Sequence, residues 1–222
     1  RWEVSAKECL EIEPALVPPP KLLGGFFNET DFTGDIHKFC INLFHVLQTR
    51  YKVKHIQQEV NNLRQMPKGP VVVCAGVLSK DLAKTIGDDL PIYPVKGYSI
   101  TINNPDIAPW TSMLDDEAKI VTARLGKDRL RVAGTAEFNG YNTDIIQKRI
   151  KPLIEWSERM FPGINTEYIN PWAGLRPMTP NMMPIVKQSK RSKDVYYNTG
   201  HGHLGWTLSA YTAQQVTENI NG

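Results

Sequence analysis

Asn198-Thr199-Gly200-His201-Gly202-His203-Leu204-Gly205-Trp206-Thr207 is the stretch on which the reading of this chain turns. Three glycines fall within six residues, after β-prone Asp194 to Asn198 and before a helical pattern from Thr207 to Ile220. Glycine lets backbone approach a ligand closely. A helix start offers unpaired N–H groups and partial positive charge. Strand, glycine turn and helix in that order suit a phosphate, a carboxylate or an electron-rich ring edge. A tight structural turn is an equal alternative. The spacing is not G-x-G-x-x-G in a first βαβ unit, so the usual dinucleotide fingerprint is not satisfied.

Upstream, Val71-Val72-Val73-Cys74-Ala75 is a continuous apolar run bounded by Gly69-Pro70 and Gly76. It predicts a strand buried on both faces, as in a parallel sheet. Ser79 is placed to cap a short helix ending at Gly87. The succession suggests an α/β nucleotide-binding layer. Ile36, Phe39, Cys40, Leu43, Phe44 and Leu47 form one helical stripe, with Asp31 or Thr33 as cap and Asp35 in the first turn. Gly24-Gly25-Phe26-Phe27 reads as a short strand and turn. Val95 to Ile102, Lys119 to Arg124 and Arg129 to Gly134 are β-prone, with Gly126-Lys127-Asp128 as a hairpin signal. Thr143 or Asp144 would cap a helix carrying Ile146, Ile150, Leu153, Ile154 and Met160, with Pro152 dividing it or starting a second one. Residues 1 to 20 read as irregular and end in Pro18-Pro19-Pro20.

The 222 residues suffice for one large domain or two small interleaved ones. A net charge of +3 and no long basic run argue against nucleic acid. Lys187 to Lys193, the nearest candidate, reads as a solvated hairpin tip. No stretch approaches the roughly 18 apolar residues of a membrane span, and no signal peptide is read. Arg1 opens in what reads as mid-domain text, so a truncated, processed or partly determined chain is expected. Cys9, Cys40 and Cys74 give neither a metal pattern nor a disulfide framework. Cys40 and Cys74 are expected to be buried thiols in a reducing compartment.

Three further features can carry chemistry. Arg176, in Trp172-Ala173-Gly174-Leu175-Arg176-Pro177, stands alone among apolar residues, and guanidinium is the preferred fork for a carboxylate. A structural ion pair is the competing reading. Lys96 and Gly97 interrupt the strand Tyr93 to Tyr98, which marks either a close approach of a ligand or a bulge. His201 and His203 are two apart without a third ligand nearby, so no metal site is expected.

Together these segments resemble the D-amino acid dehydrogenase branch of the D-amino acid oxidase-like flavoenzymes. The matching text covers nearly the whole chain. It includes Glu13-Pro14-Ala15-Leu16, Thr33-Gly34-Asp35, Leu90 to Ser99, Gly134-Thr135-Ala136-Glu137, Gly140-Tyr141-Asn142, Trp172 to Pro180 and Asn198 to Gly202, closing with Leu204-Gly205-Trp206-Thr207. The resemblance implies a mixed α/β fold, with a partial Rossmann-like FAD-binding layer interleaved with a β-sheet substrate-binding domain. Residues 21–87 and 171–222 would belong to the first, and 1–20 and 88–170 to the second. It implies oxidation of a D-amino acid to a 2-oxo acid and ammonia, with electrons passing from FAD to a quinone or other acceptor.

By the same resemblance, Arg176 would bind the substrate carboxylate, and His203 would face the substrate as a second catalytic candidate. Tyr98, Tyr141 and Lys96 would line the substrate site. Ala75, Gly76, Gly200, His201, Gly202, Leu204, Gly205, Trp206 and Thr207 would lie beside the cofactor. No general base is required, because the substrate amine can lose its proton in solution.

The chain also departs from the pattern. The N-terminal βαβ unit with its G-x-G-x-x-G is missing, so the chain alone should hold FAD poorly. Tyr51 to Lys68 offers little of the usual strand and β-meander. Asn181-Met182-Met183 and Lys187 stand where the family has glycines, and Ala210-Tyr211-Thr212 replaces a Gly-Ser-Gly, with Tyr211 bulky enough to crowd a flavin. Two alternatives follow: a degenerate, non-catalytic subunit or scaffold in a larger complex, or one chain of a two-chain flavoenzyme. Either predicts a partner surface filled by another protein or by the FAD-binding half. The expected location is cytoplasm or mitochondrial matrix, including peripheral attachment to a respiratory membrane.

Overall fold

The computed structural model describes residues 1–17 and 22–222. The Pro18-Pro19-Pro20 expectation lies outside the described residues. In chain order the elements are β1 (Trp2–Ser5), α1 (Ala6–Ile12), β2 (Gly24–Phe27), α2 (Ile36–Thr49), β3 (Val71–Val73), α3 (Ser79–Lys84) and β4 (Tyr93–Asn103). They continue with β5 (Leu114–Asp115), β6 (Ile120–Leu125), β7 (Arg129–Glu137), α4 (Gln147–Met160), β8 (Ile169–Met178), β9 (Ile185–Gln188), β10 (Val195–Thr199) and α5 (Gly205–Asn221). The chain divides into two compact units: 1–41, 97–136 and 143–174 form the first, and 42–96, 137–142 and 175–222 the second. Residues 22–41 thus pack within the first unit, although the sequence resemblance groups them with the FAD-binding part.

The first unit is built on a five-stranded sheet ordered β5-β6-β7-β4-β8. Side chains alternate across a strand, and here one face carries the core. Tyr98, Ile100 and Ile102 of β4 pack with Leu130 and Val132 of β7 and Ile150, Leu153 and Trp156 of α4. The hairpin between β6 and β7 pairs Leu125 with Arg129 around Gly126, whose φ of 75° requires glycine-like backbone freedom. Gly134 is needed for packing: a Cβ there would sit 2.9 Å from Ile120 Cγ1 and 3.1 Å from Leu153 Cδ2. Pro152 lies inside a continuous α4 and does not divide it. That helix begins at Gln147, with Ile146 as its N-cap, so neither Thr143 nor Asp144 caps it.

The second unit holds a three-stranded sheet, β3-β10-β9, with β3 and β10 parallel. Its core is Leu63, Val73, Ala83, Leu90, Ile92, Val195 and Tyr197. The tip joining β9 to β10 contains Lys190 and Lys193, and Gln188 pairs with Tyr196, as the basic hairpin predicted. No strand is assigned between Tyr51 and Asn62, matching the short text there.

Several local expectations are corrected. Residues 2–12 form β1 and α1 instead of irregular chain. Ser5 and Glu8 make a reciprocal capping box that supports a helix too short for a periodic signal. Asp35 caps α2: its Oδ1 accepts from the Lys38 N–H at 3.1 Å. Val72 of β3 is exposed, and so are Cys40 and Cys74, because none of the described elements covers those faces. Ser79 is the first residue of α3, fully buried, and its hydroxyl has no partner, so it does not act as a cap.

Candidate functional site

Parallel neighbours β3 and β10 end on the same edge of their sheet. Open α/β sheets bind ligands outside the carboxyl ends of their strands. Ala75 and Gly76 follow β3, and Gly200 to Leu204 follow β10. The Thr199 hydroxyl donates to the Gly76 carbonyl at 3.1 Å and ties the two turns together. Gly76 has φ +56° and no atom within 4 Å of the place a Cβ would take. Gly200 and Gly202 also have positive φ, but their space is filled: added Cβ atoms would lie 2.9 Å from Thr179 Cγ2 and 2.8 Å from Met178 Sδ. Backbone needs glycine at both turns, and only at Gly76 does the glycine open onto empty space.

The turn is locked by its own bonds. Gly202 N–H donates to the Pro177 carbonyl at 3.0 Å, and Leu204 N–H to the His201 carbonyl at 2.9 Å. His201 Nε2 lies 3.0 Å from Thr212 Oγ1 on α5. Burial holds the His201 imidazole below its ordinary pKa, so it is neutral around pH 7. α5 then starts at Gly205 without any side-chain cap. Leu204 is its N-cap, with Trp206 and Thr207 in the exposed first turn. Asn198 Oδ1, just before the turn, is buried without a donor.

These features test the fit of a flavin. The open cradle at Gly76, the uncapped start of α5 and the orphaned Asn198 oxygen suit the hydrogen-bonding edge of a flat heterocycle. The residues present thus fit the ring, while no glycine fingerprint for the pyrophosphate occurs in the sequence. Tyr211 stands 60% exposed on α5, with its hydroxyl accepting from Gln215 Nε2 at 3.1 Å.

Arg176 lies on β8, half-buried, and its guanidinium has neither a hydrogen bond nor an ion pair among the described residues. Burial lowers its pKa from the ordinary arginine value. A desolvated, uncompensated cation is costly unless an anion arrives. Lys96 differs. It is fully buried, 3.1 Å from Glu137 Oε2 and 2.8 Å from Asn142 Oδ1. Its charge is already compensated. The Tyr141 hydroxyl donates to Asp81 at 2.9 Å; desolvation first, then Asp81, raises the phenol's pKa. Tyr98 is buried in the core of the first unit. His203 is exposed, and no cluster of three metal-ligating side chains exists among the described residues.

The sequence reading missed Glu137 and Asn142, the partners of Lys96. Both stand in strings it singled out. A lysine inside an apolar strand was the available signal, since a buried lysine requires a paired anion.

Known proteins share this architecture. The model of the FAD dependent oxidoreductase family matches residues 1–219. D-amino acid dehydrogenase 3 of Mesorhizobium japonicum is 49% identical over 97% of this chain. A D-amino acid dehydrogenase of Dechloromonas aromatica is 37% identical over all of it. The chain spans 57% and 58% of those two relatives' lengths. Glycine oxidase from Geobacillus kaustophilus superimposes with a TM-score of 0.88 at 19% identity, covering 99% of this chain and 62% of its own. L-alpha-glycerophosphate oxidase from Mycoplasma pneumoniae, solved with FAD bound, gives 0.80 at 18%, covering 100% and 64%. The fold is therefore that of FAD-dependent oxidoreductases, and the chain belongs to the FAD dependent oxidoreductase family.

Proposed function

We propose that this chain supplies the substrate-binding part and the ring-facing edge of an enzyme that oxidises D-amino acids to 2-oxo acids and ammonia. The observation that carries this reading is Arg176, a half-buried guanidinium with no counter-ion among the described residues, in a chain 49% identical to a D-amino acid dehydrogenase. Arg176 would fork onto the substrate carboxylate and fix the orientation of Cα, which is catalysis by positioning. FAD, when bound, would supply the acceptor for the hydride at Cα. The backbone of Gly200 to Thr207 at the start of α5 would favour negative charge on the adjacent ring edge. Ala75 and Gly76 would pass beside the cofactor, and Tyr141 and Lys96 would shape the substrate side, with Lys96 held by Glu137, whereas Tyr98 belongs to the core of the first unit. His203 would face the substrate from the exposed turn. His201, held neutral against Thr212, keeps the turn in place and needs no proton-transfer role. The imino acid released is hydrolysed by water. The electrons pass on to a quinone or another acceptor.

Further proposals concern the surroundings. The exposed apolar stripe of α2 is the surface to be covered, by the FAD-binding half or by a partner protein. Among the described residues no helix is long and apolar enough to cross a membrane. Peripheral attachment to a respiratory membrane belongs to the same proposal.

The non-catalytic scaffold remains the competing reading, and one observation bears on it. Met182, at a position where the resemblance implies a glycine, has a φ of +62° in a turn closed by Asn181 Oδ1 accepting from Met183 N–H at 3.1 Å, so the glycine-like backbone is present without the glycine. The test is an absorbance scan of the full-length protein for flavin bands near about 370 and 450 nm, then anaerobic bleaching with D-alanine. Bleaching supports the dehydrogenase. A colourless protein that stays colourless with added FAD supports the scaffold.

A further inference from the structure

The sheet of the first unit has a second face, opposite its core, whose Arg131 and Trp172 have no part in the function proposed above. Since Leu130 and Val132 point into the core, Arg129, Arg131 and Ala133 of β7 point away from it. By the same alternation Ser99 of β4 and Trp172 and Gly174 of β8 share that outer face, because Tyr98, Ile100, Ile169 and Ala173 pack on the core side. Arg129 is taken by Asp35, at 2.7 Å. Arg131 is not taken: it has neither a hydrogen bond nor an ion pair among the described residues. Its guanidinium carbon stands 5.2 Å from the Trp172 ring centroid. Because β4 lies between β7 and β8, the two side chains meet above β4.

Three further observations indicate that this face awaits a ligand. Ser99 is 1% exposed and its hydroxyl has no partner among the described residues. Thr135, two residues before the end of β7 with φ +62°, also has a buried hydroxyl without a partner among the described residues. Gly174 makes room for the indole: a Cβ there would lie 2.1 Å from Trp172 Cη2. Trp172 is nevertheless half exposed, so one side of this arrangement stays open. Burial lowers the Arg131 pKa with no acidic group to offset it.

We propose that the outer face of this sheet is a carboxylate-binding site, with Arg131 as the ion-pairing group, Trp172 as its apolar wall and the Ser99 hydroxyl as a hydrogen-bond partner. It rests on the amino acid oxidation proposed above and deepens it. The substrate class selected is a D-amino acid with an acidic side chain, and Arg131 is the residue that sets this preference. Guanidinium supplies the fork a carboxylate needs, and stacking on an indole orients that fork.

The test uses the full-length holoprotein and two readouts. Calorimetry with glutarate, a dicarboxylate that cannot be oxidised at an amino-bearing carbon, measures the site without turnover. Binding by the unaltered protein that weakens at least tenfold in Arg131→Met, and less in Arg131→Lys, is expected. Absent glutarate binding, or binding unchanged by Arg131→Met, overturns the proposal. In kinetics, Arg131→Met should lower kcat/KM for D-glutamate at least tenfold more than for D-alanine, through KM. An equal loss on both substrates overturns the specificity role. A flavin that no D-amino acid reduces refutes the proposed reaction, whereas glutarate binding still decides the site.

Discussion

Gly76 and Gly202 carry nearly the same φ, +56° each, yet they meet different surroundings. Alanine at either would hold an L residue in the left-handed region at a cost of about 1 to 2 kcal/mol. At Gly202 the added carbon also collides with Met178, whereas at Gly76 it enters empty space. Gly76→Ala therefore separates folding from cofactor binding. We expect its thermal midpoint to fall by only a few degrees, while the flavin content of the full-length protein drops severalfold. Full flavin content in a folded Gly76→Ala protein would show that the ring lies elsewhere. Arg176 gives the second residue-scale prediction. Arg176→Ala should lower kcat/KM for D-alanine about 100- to 1,000-fold, mainly through KM, since a buried carboxylate partner is lost. Arg176→Lys should recover only part, because an ammonium lacks the planar fork. Both groups stood out in the sequence, as a solitary arginine among apolar neighbours and as glycine between strand and helix. Arg131 did not, because its lack of a partner is a property of three strands brought side by side, and no local spacing encodes it.

Elements with strong periodicity or turn chemistry were legible in the sequence, and those without it were not. α2, α5 and the Gly126 hairpin fall where their patterns place them. β8 was unread as a strand because Pro171, Gly174 and Pro177 break its alternation, and neighbouring β4 supplies what propensity does not. α1 escaped because two turns leave no periodic trace. Between elements, the decisive tie in the second unit is Asp88, which is 8% exposed. It accepts hydrogen bonds from the Tyr197 hydroxyl at 2.7 Å and from Ser189. Burial raises the Asp88 pKa, but the Ser189 and Tyr197 hydroxyls, the Lys190 backbone and the Lys187 charge outweigh it, and the net position is below an ordinary aspartate. A depressed folded-state pKa means that the unfolded chain binds the proton first. The stabilisation is therefore complete above about pH 3.9 and is lost as the pH falls through the folded value. His201 acts in the same direction from higher pH: burial depresses it, so stability begins to decline as the pH falls below about 6.5. Asp88→Asn should cost about 1 to 2 kcal/mol at pH 7 in urea unfolding, and its difference from the unaltered protein should shrink below pH 4. A difference constant down to pH 3 would place the stabilisation outside the carboxylate.

At the scale of the molecule, the exposed face of α2 is the feature that packing within the chain does not explain. Its fourteen residues carry an apolar stripe, and none of them is buried. Ile36, Leu43 and Phe44 are exposed, and Val53 and Ile56 beyond the helix are exposed as well. Asp35 holds the start of α2 by capping its first turn and pairing with Arg129, so the helix is fixed at one end without being covered. Monomeric proteins seldom leave so continuous an apolar surface to water. The two curated relatives run well beyond the matched region, which this chain covers to 57% and 58% of their lengths, and the stripe is where such additional residues could pack. Made as these 222 residues alone, the chain should associate with itself at about 10 μM, a concentration at which exposed apolar surface begins to be shared between molecules. Light scattering across a dilution series would show the mean mass rising with concentration. Placing a charge in the stripe by Leu43→Lys should lower that mass at equal concentration without unfolding the chain, because Leu43 makes no core contact to lose. A chain that stays monomeric throughout, or a Leu43→Lys variant that associates as strongly, would mean that α2 tolerates water and that the surface to be covered lies elsewhere.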